Sequence, residues 1–319
     1  MNNEWTTMKS SMEHDFTAQE TTAFKAFCER HKNHLDDSFL FAEELADFVP
    51  NDENPTVVGI RGETLSGAAS LILDDYHVRG RRARFRILYC EDETPDSYAA
   101  LLSPLRKHVE KWNRERTGAE REGLTHWFCF VRNGNDTQRI CLEANGFHLH
   151  RTSHLLIRGE TAVPETILPE GVVIRPFLFG QDEEVYCHIR NAAFLNLLGS
   201  EAPLLPEDVA KMAQDGDTLP GGIFLLEDHG TPVGIVRAAK DPGDAENEAM
   251  VEIAPLAILP GYQGKGYGTL LLRHAIRHGR QLGLARAVLC VNAENTPALG
   301  LYLREGFAVH LGFACMRED

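Results

Sequence analysis

The sequence predicts an α/β (α+β) protein of two tandem halves, each a mixed, mostly antiparallel sheet with helices on both faces. Three observations carry this reading. The last third runs strand, glycine-rich turn, helix, strand, helix, strand. Two segments 160 residues apart repeat each other: FVRNGNDTQRICLEANGF (130–147) and CVNAENTPALGLYLREGF (290–307), where aligning Gly146 with Gly306 (306 − 146 = 160) pairs Val131 with Val291 and Asn135 with Asn295 without a gap. Between the halves, Gly159 to Gly171 carries Pro164 and Pro169 and reads as a linker. The expected domains are therefore 1–160 and 161–319, each near the usual domain size.

Within the first half, residues 1 to about 14 are polar and expected to fray. Helices are expected at Ala18–His31 and Asp37–Phe48, then strands near 56–61, 65–73 and 82–90 and a helix near 96–114. A strand near 124–131, a helix near 136–145 and a strand near 147–158 complete it. The second half opens with the strand Val172–Phe177, followed by helices near 181–196 and 206–214 and strands near 222–227, 232–240 and 248–258.

The chemistry concentrates in GYQGKGYGT, Gly261 to Thr269. The apolar run Val251–Leu259 before it reads as a buried strand, ended by Pro260 and Gly261. After it, Leu271, Leu272, Ala275 and Ile276, with Leu282, fall on one helical face, and Gly283 is placed to stop the helix. Backbone N–H groups in such a strand-to-helix turn carry the positive end of the helix dipole, which makes an anion site, most naturally for phosphate. The loop cannot be threaded onto G-x-x-x-x-G-K-[ST], and Gly264, Gly266 and Gly268 run G-x-G-x-G, which is not the dinucleotide fingerprint. Downstream, Thr296 reads as a helix N-cap, Pro297 as a first helical residue and Gly306 as the stop.

These segments together resemble the acyl-CoA N-acyltransferases of the GNAT superfamily. Gln263, Gly264, Lys265, Gly266, Tyr267 and Gly268 match the family's Q/R-x-x-G-x-G/A pyrophosphate loop, and Asn295, Ala298, Leu301, Tyr302, Gly306 and Phe307 match its N-x-x-A-x-x-L-Y-x-x-x-G-F segment. The resemblance covers roughly residues 164 to 319 and implies acetyl-CoA or a related acyl-CoA as co-substrate, held by Gln263 through Thr269. It also implies that Leu256, Ala257 and Ile258 carry the pantetheine arm, through the backbone of Leu256 and Ile258, as an added pseudo-strand. Tyr302 is then the acid beside the thioester sulfur. Asn295 holds the cofactor arm or caps its helix, in competition with Thr296. Lys265 and Arg273 either reach phosphate or are surface charges.

Acyl transfer to an amine needs a neutral nucleophile, and an alkyl amine titrates near ~10.4, so a base must act at neutral pH. Glu252 is the expected base: it stands on the strand feeding the loop, eleven residues before Gln263 (263 − 252), as a glutamate does in several acetyltransferases of the family. Its apolar neighbours Val251, Ile253 and Pro255 would raise its pKa by burial; Glu248 and Glu246 are fallbacks. The acceptor pocket is expected from 177–222, with Phe194, Leu197 and Leu198 packing and Glu201, Glu207 and Asp208 pairing with a cation. His274 and His278, one turn apart with no third ligand, give no reason to expect a metal.

The first half lacks this chemistry. No glycine occurs from Glu91 to Thr117, Glu91, Asp92 and Glu93 stand where phosphate would bind, and Leu142 replaces Tyr302. Like charge opposes an anion, so this half is expected to be a degenerate acyltransferase fold.

Composition narrows the partners. The net charge of −15 opposes nucleic acid and anionic membrane surfaces. No apolar run approaches the ~20 residues that span a bilayer, and the N-terminus lacks an apolar signal core. The seven scattered cysteines suit reduced thiols in a cytoplasm, with Cys290 a strand core residue. The acceptor is a small-molecule or peptide amine. Acidity fits an aminoglycoside or polyamine, while a protein N-terminus or lysine fits the family equally. The non-enzyme alternative is an acyl-CoA-binding regulatory module. Oligomeric state is not legible.

Overall fold

The computed structural model describes residues 5, 7–34, 45, 47–116, 123–200, 202–214, 216–243 and 248–319. The chain divides into two compact units, residues 1–152 with 313–319, and residues 153–312.

The first unit contains β1 (Thr7–Ser10), α1 (Ala18–Arg30), a 3-10 turn (Lys32–His34), β2 (Thr56–Arg61), β3 (Thr64–Ile72), α2 (Asp75–Arg79), β4 (Arg82–Cys90), α3 (Pro95–Arg116), β5 (His126–Arg132) and α4 (Asp136–Ala144), and it includes the start of β6 (His148–Arg158). Its strands run β1-β2-β3-β4-β5, and β5 then pairs with Phe313–Glu318 of β12 (Phe307–Glu318). Among the strand pairs whose register is described in this unit, β4 and β5 run parallel and the others antiparallel. Thr17 and Glu20 form a reciprocal capping box that starts α1.

Two expectations change here. The N-terminus does not fray as a whole: Thr7 to Ser10 pair antiparallel with Ile60 to Val57. The cause is non-local, since Trp5 and Met8 pack against the core under α3 and the Arg61 guanidinium lies 4.5 Å from the Trp5 ring centre. The helix expected at Asp37–Phe48 lies largely outside the described residues.

The second unit contains the end of β6, β7 (Val172–Pro176), α5 (Glu183–Phe194), α6 (Pro206–Lys211), β8 (Thr218–Asp228), β9 (Thr231–Asp241), β10 (Met250–Ile258), α7 (Tyr267–Gln281), β11 (Ala287–Asn292), α8 (Thr296–Arg304) and the start of β12. The order is β7-β8-β9-β10-β11, with Ser153–Arg158 of β6 beyond β11; among these described pairs β10 and β11 run parallel and the others antiparallel. One core lies under α7 and α8, the other under α5 and α6. Among the described residues no helix is long and apolar enough to cross a membrane.

Leu271, Leu272, Ala275 and Ile276 of α7 are buried as their spacing requires, but Leu282 is 46% exposed because it is the C-cap and has left the helical face. Gly283, at φ +90°, closes the helix, donating to Arg280 O while Leu284 N donates to Gly279 O, both at 3.0 Å. This pair of bonds satisfies carbonyls that the helix end would leave open.

At Gly279 an added Cβ would sit 2.7 Å from Val251 Cβ, so glycine sets how closely α7 lies on β10. Gly279→Ala should therefore lower stability by about 1–3 kcal/mol through overpacking. Val251→Ala alone should also destabilise, yet the double variant should be more stable than the sum of the two losses predicts. Urea unfolding of the four proteins checks this; strict additivity would mean that the contact does not limit packing.

Candidate active site

The parallel ladder between β10 and β11 is short. It pairs Val251 with Ala287 and Glu252 with Val288 and then stops, so the two strands diverge. On its other side β10 stays paired with β9, through a bulge between Ile253 and Leu256. The stretch Ile253–Ile258 thus presents a backbone edge with no β11 partner, and such an edge can accept an extended ligand. A cavity of about 390 Å³ opens here, walled by Ile253 to Leu256 of β10, Cys290 and Val291 of β11, Asn295, Ala298 and Tyr302 near or on α8, residues of α5, and Leu204 and Met212 on either side of α6.

The glycine loop joins β10 to α7. Gly264 and Gly266 have φ of +78° and +86°, a left-handed conformation that glycine adopts without strain. Gly266 is the N-cap, and no side chain caps the helix, so the first-turn amides at Tyr267, Gly268 and Thr269 are available to an anion. Gln263 anchors the loop, its Nε2 donating to Ile258 O at 3.0 Å, which occupies a carbonyl expected to serve the cofactor arm. Tyr267 is buried and donates its hydroxyl to Asp228 Oδ2 at 2.7 Å. Lys265 reaches the same oxygen at 3.4 Å and lies over the Tyr262 and Tyr267 rings, at 4.8 and 5.7 Å. His229 and then Tyr267 hold the Asp228 carboxyl below its ordinary range, while Asp228 raises the Tyr267 phenol. Sequence reasoning missed Asp228, which carries no motif and comes to the loop from the β8–β9 hairpin.

Tyr302 lines the cavity and is 8% exposed, with its ring edge-on to Phe307 at 5.9 Å. Burial pushes its phenol up to about 12, so it is protonated and able to donate at neutral pH. Glu252 is half-buried on β10 and lies outside the cavity lining. Burial raises its carboxyl above the usual glutamate range, opposed by Arg237 and reinforced by Asp241 and Asp217. Arg237 is itself clamped by both Asp217 oxygens, at 2.8 and 2.9 Å.

Of the residues expected to hold the cofactor arm, Leu256 and Asn295 line the cavity, whereas Ala257 and Ile258 are buried in the two cores. Asn295, not Thr296, caps α8: its side chain accepts from Ala298 N at 3.4 Å, and Thr296 is the first helical residue. Arg273 is bound bidentate to Glu305, at 2.7 and 2.8 Å, and is not a free surface charge. His274 and His278 stand edge-on to Phe224. Among the described residues no group of three His, Cys, Asp or Glu could hold a metal.

Cys290 is not a core residue: it is exposed and lines the cavity, whereas the other six cysteines are buried. Phe194 lines the cavity as expected, but Leu197, Leu198, Glu207 and Asp208 do not, and Glu201 and Glu246 lie outside the described residues. Tyr186, Arg190, Leu204 and Met212 line it without having been foreseen.

The first unit repeats the backbone and replaces the chemistry. Its parallel ladder also stops after a short run, ending at Arg84 and Phe128. Because Phe128 corresponds to Val288 (128 + 160), Arg84 stands where the second unit has Glu252, and Leu88 where it has Leu256. Gly146 and Gly306 share the left-handed conformation, at φ +96° and +87°. Gln138, the counterpart of Ala298, is 1% exposed and donates to Leu88 O at 2.9 Å. His34 bonds Gln138 Oε1 at 3.0 Å and stacks on Tyr89, centroids 3.7 Å apart. Side chains of the unit itself thus fill this opening. The acids after β4 are engaged too: Asp92 pairs with Arg61 and accepts from Ser97 Oγ at 2.5 Å, and Glu91 bonds His31 at 2.9 Å.

Residues 188–307 match the acetyltransferase (GNAT) family. Over 150 residues the chain is 35% identical to a mycothiol acetyltransferase of Pseudarthrobacter chlorophenolicus, covering 47% of this chain and 46% of that protein. Over 183 residues it is 31% identical to one of Streptomyces coelicolor, covering 57% and 58%. The chain spans about half the length of the curated relatives it matches. A GCN5-related N-acetyltransferase of Sphaerobacter thermophilus superposes with a TM-score of 0.72 at 18% identity, over 98% of this chain and 95% of that one. A tandem GNAT protein from the clavulanic acid biosynthesis pathway superposes with a TM-score of 0.63 at 13% identity, over 98% of both chains. At these identities the likeness shows the fold, which is that of a tandem GNAT protein. The glycine loop, the diverging strands and Tyr302 all lie within the stretch that matches the acetyltransferase (GNAT) family.

Proposed function

We propose that the second unit is an N-acetyltransferase that moves an acetyl group from acetyl-CoA to a small-molecule primary amine by direct attack. The observation that carries this is the continuous path from the uncapped, glycine-built N-terminus of α7, along the open edge of β10, to a cavity walled by Tyr302. Likeness to mycothiol acetyltransferases supports a small-molecule acceptor.

In this reading the amides of Gly266 to Thr269 bind the pyrophosphate. The β10 edge at Leu256 positions the pantetheine arm by backbone hydrogen bonds, and α8 closes the far side. Glu252 takes the ammonium proton at one remove, through water, because its carboxylate stands behind the lining rather than in it. The neutral amine attacks the thioester carbonyl, the C–S bond breaks, and Tyr302 gives its proton to the departing thiolate; the second proton leaves the acylated nitrogen and restores the Tyr302 hydroxyl through water.

Three results should follow. Gly266→Asp should fold, because an added Cβ meets nothing within 4 Å, although the positive φ costs some stability. It should bind acetyl-CoA at least about tenfold more weakly by titration calorimetry, since its charge repels phosphate. Unchanged affinity would remove the loop from the site.

Equilibrium dialysis should find one acetyl-CoA per chain, since Gln138 and His34 fill the first unit's opening. Two equivalent sites would contradict this.

Tyr302→Phe should keep acetyl-CoA affinity and lose about 10²–10⁴ in turnover at every pH. Glu252→Gln should lose turnover most at low pH and recover as the amine neutralises itself. Stability provides a check independent of activity. The folded Glu252 pKa is raised above its unfolded value, so its contribution is fully present below the ordinary glutamate range and is lost as pH rises through the folded pKa. Glu252→Gln should therefore melt progressively higher than wild type as pH rises from acid to neutral. Parallel melting curves would place Glu252 in water.

A further inference from the structure

An aspartate beside an anion-binding loop works against the ligand, because its charge opposes the phosphate. Asp228 stands in that position. It ends β8, its side chain is 12% exposed, and it meets the glycine loop through Lys265 and Tyr267. The contacts it makes are of unequal character. Oδ1 lies 2.7 Å from His229 Nδ1, and the His229 backbone is tied down in turn, donating to Gly171 O at 2.8 Å. Oδ2 accepts from the buried Tyr267 hydroxyl, also at 2.7 Å. Lys265 reaches the same oxygen only at 3.4 Å, and its side chain is 49% exposed. An exposed ion pair of that length is weak.

Lys265 is therefore held beside the loop without being locked there. Its ammonium lies 4.8 Å from the Tyr262 ring centre and 5.7 Å from that of Tyr267, so two rings and one carboxylate face it. On either side stand Gly264 and Gly266, where an added Cβ would meet nothing within 4 Å. Rotation about the flexible four-carbon stem is enough to redirect the ammonium. When it leaves, Asp228 keeps Tyr267 on Oδ2 and His229 on Oδ1, so neither carboxylate oxygen is orphaned. The exchange costs little: a weak, exposed pair is given up for contact with a diphosphate, which carries more charge than a carboxylate.

We infer that Asp228 competes with the donor's diphosphate for Lys265, and that this competition limits how tightly the second unit holds CoA. The inference rests on the acetyl-CoA reading above. An acyltransferase must release CoA after every turnover, and affinity gained equally by substrate and product slows release without lowering the chemical barrier. Asp228 acts in two separable ways. Its hydrogen bond to Tyr267 braces the loop, and its charge holds Lys265 back. Asparagine has the same shape and still accepts from Tyr267, but it has no charge with which to retain the lysine.

A double-mutant cycle with CoA as the probe tests this. CoA is titrated calorimetrically into the full chain as wild type, Asp228→Asn, Lys265→Met and the double variant, and its dissociation rate is read by surface plasmon resonance. Asp228→Asn should bind CoA about three- to fivefold more tightly, mostly through slower dissociation. Lys265→Met should bind about fivefold or more weakly, having lost a charge-assisted contact. In the Lys265→Met background, Asp228→Asn should change affinity by less than about 1.5-fold, because the lysine through which it acts is gone. A merely structural Asp228 would give the opposite sign, since loosening a brace weakens binding. Lys265→Met, at an exposed position, keeps the test intact should Asp228→Asn fail to fold. Unchanged or weaker binding by folded Asp228→Asn, unaltered binding by Lys265→Met, or equal tightening in both backgrounds would each overturn the inference and leave the donor reading standing. No CoA binding by the wild type would remove both.

Discussion

Everything in the second unit's site depends on where two parallel strands part. Backbone donors and acceptors inside a fold must find partners, and the β10–β11 ladder supplies them only as far as Glu252 and Val288. Past that point β10 remains held by β9 on one side and is open on the other. α7 begins where β10 ends, and α8 begins where β11 ends, so the opening is bordered by two helix N-termini, capped by Gly266 and Asn295. The close seat of α7 at Gly279 and the pair of cores above and below the sheet hold the strands in that divergent state.

Features of this arrangement set by local chemistry were legible in the sequence. The glycine loop, the stops at Gly283 and Gly306 and the 160-residue repeat are conformational requirements of a few adjacent residues, and the helices and strands around them fell close to their periodicity. What escaped depends on contacts distant in sequence. β1 exists because Trp5 and Met8 reach a core made by later strands. Asp228 meets Tyr267 across thirty-nine positions. The α5 side of the cavity carries no motif, so Tyr186 and Arg190 could not be told from ordinary amphipathic helix residues. Asn295 and Thr296 were both credible caps; the choice is made by which residue's backbone leaves the helix.

The first unit shows what the fold demands apart from chemistry. Its ladder ends early, its β4 carries a register shift against β3 as β10 does against β9, and its α4 closes with a left-handed glycine. These are packing features, and they persist where Glu252 is replaced by Arg84 and Tyr302 by Leu142. An arginine where the proposed base stands cannot accept a proton at neutral pH, and a leucine where the proposed acid stands cannot give one.

The fate of the open edge then separates the two units. A strand carbonyl facing a gap needs a donor, and in the first unit Gln138 provides it permanently at Leu88, with His34 and Tyr89 stacked behind. In the second unit the corresponding side chain is Ala298, a methyl group with no donor to offer, and the gap beside Leu256 is a cavity. Glutamine stands in one unit where alanine stands in the other, and the same backbone is satisfied by a side chain in the first and borders a cavity in the second. On the reading proposed above, the pantetheine arm makes in the second unit the bond that Gln138 makes in the first, so the degenerate unit displays in its own side chain the contact that the other reserves for its substrate.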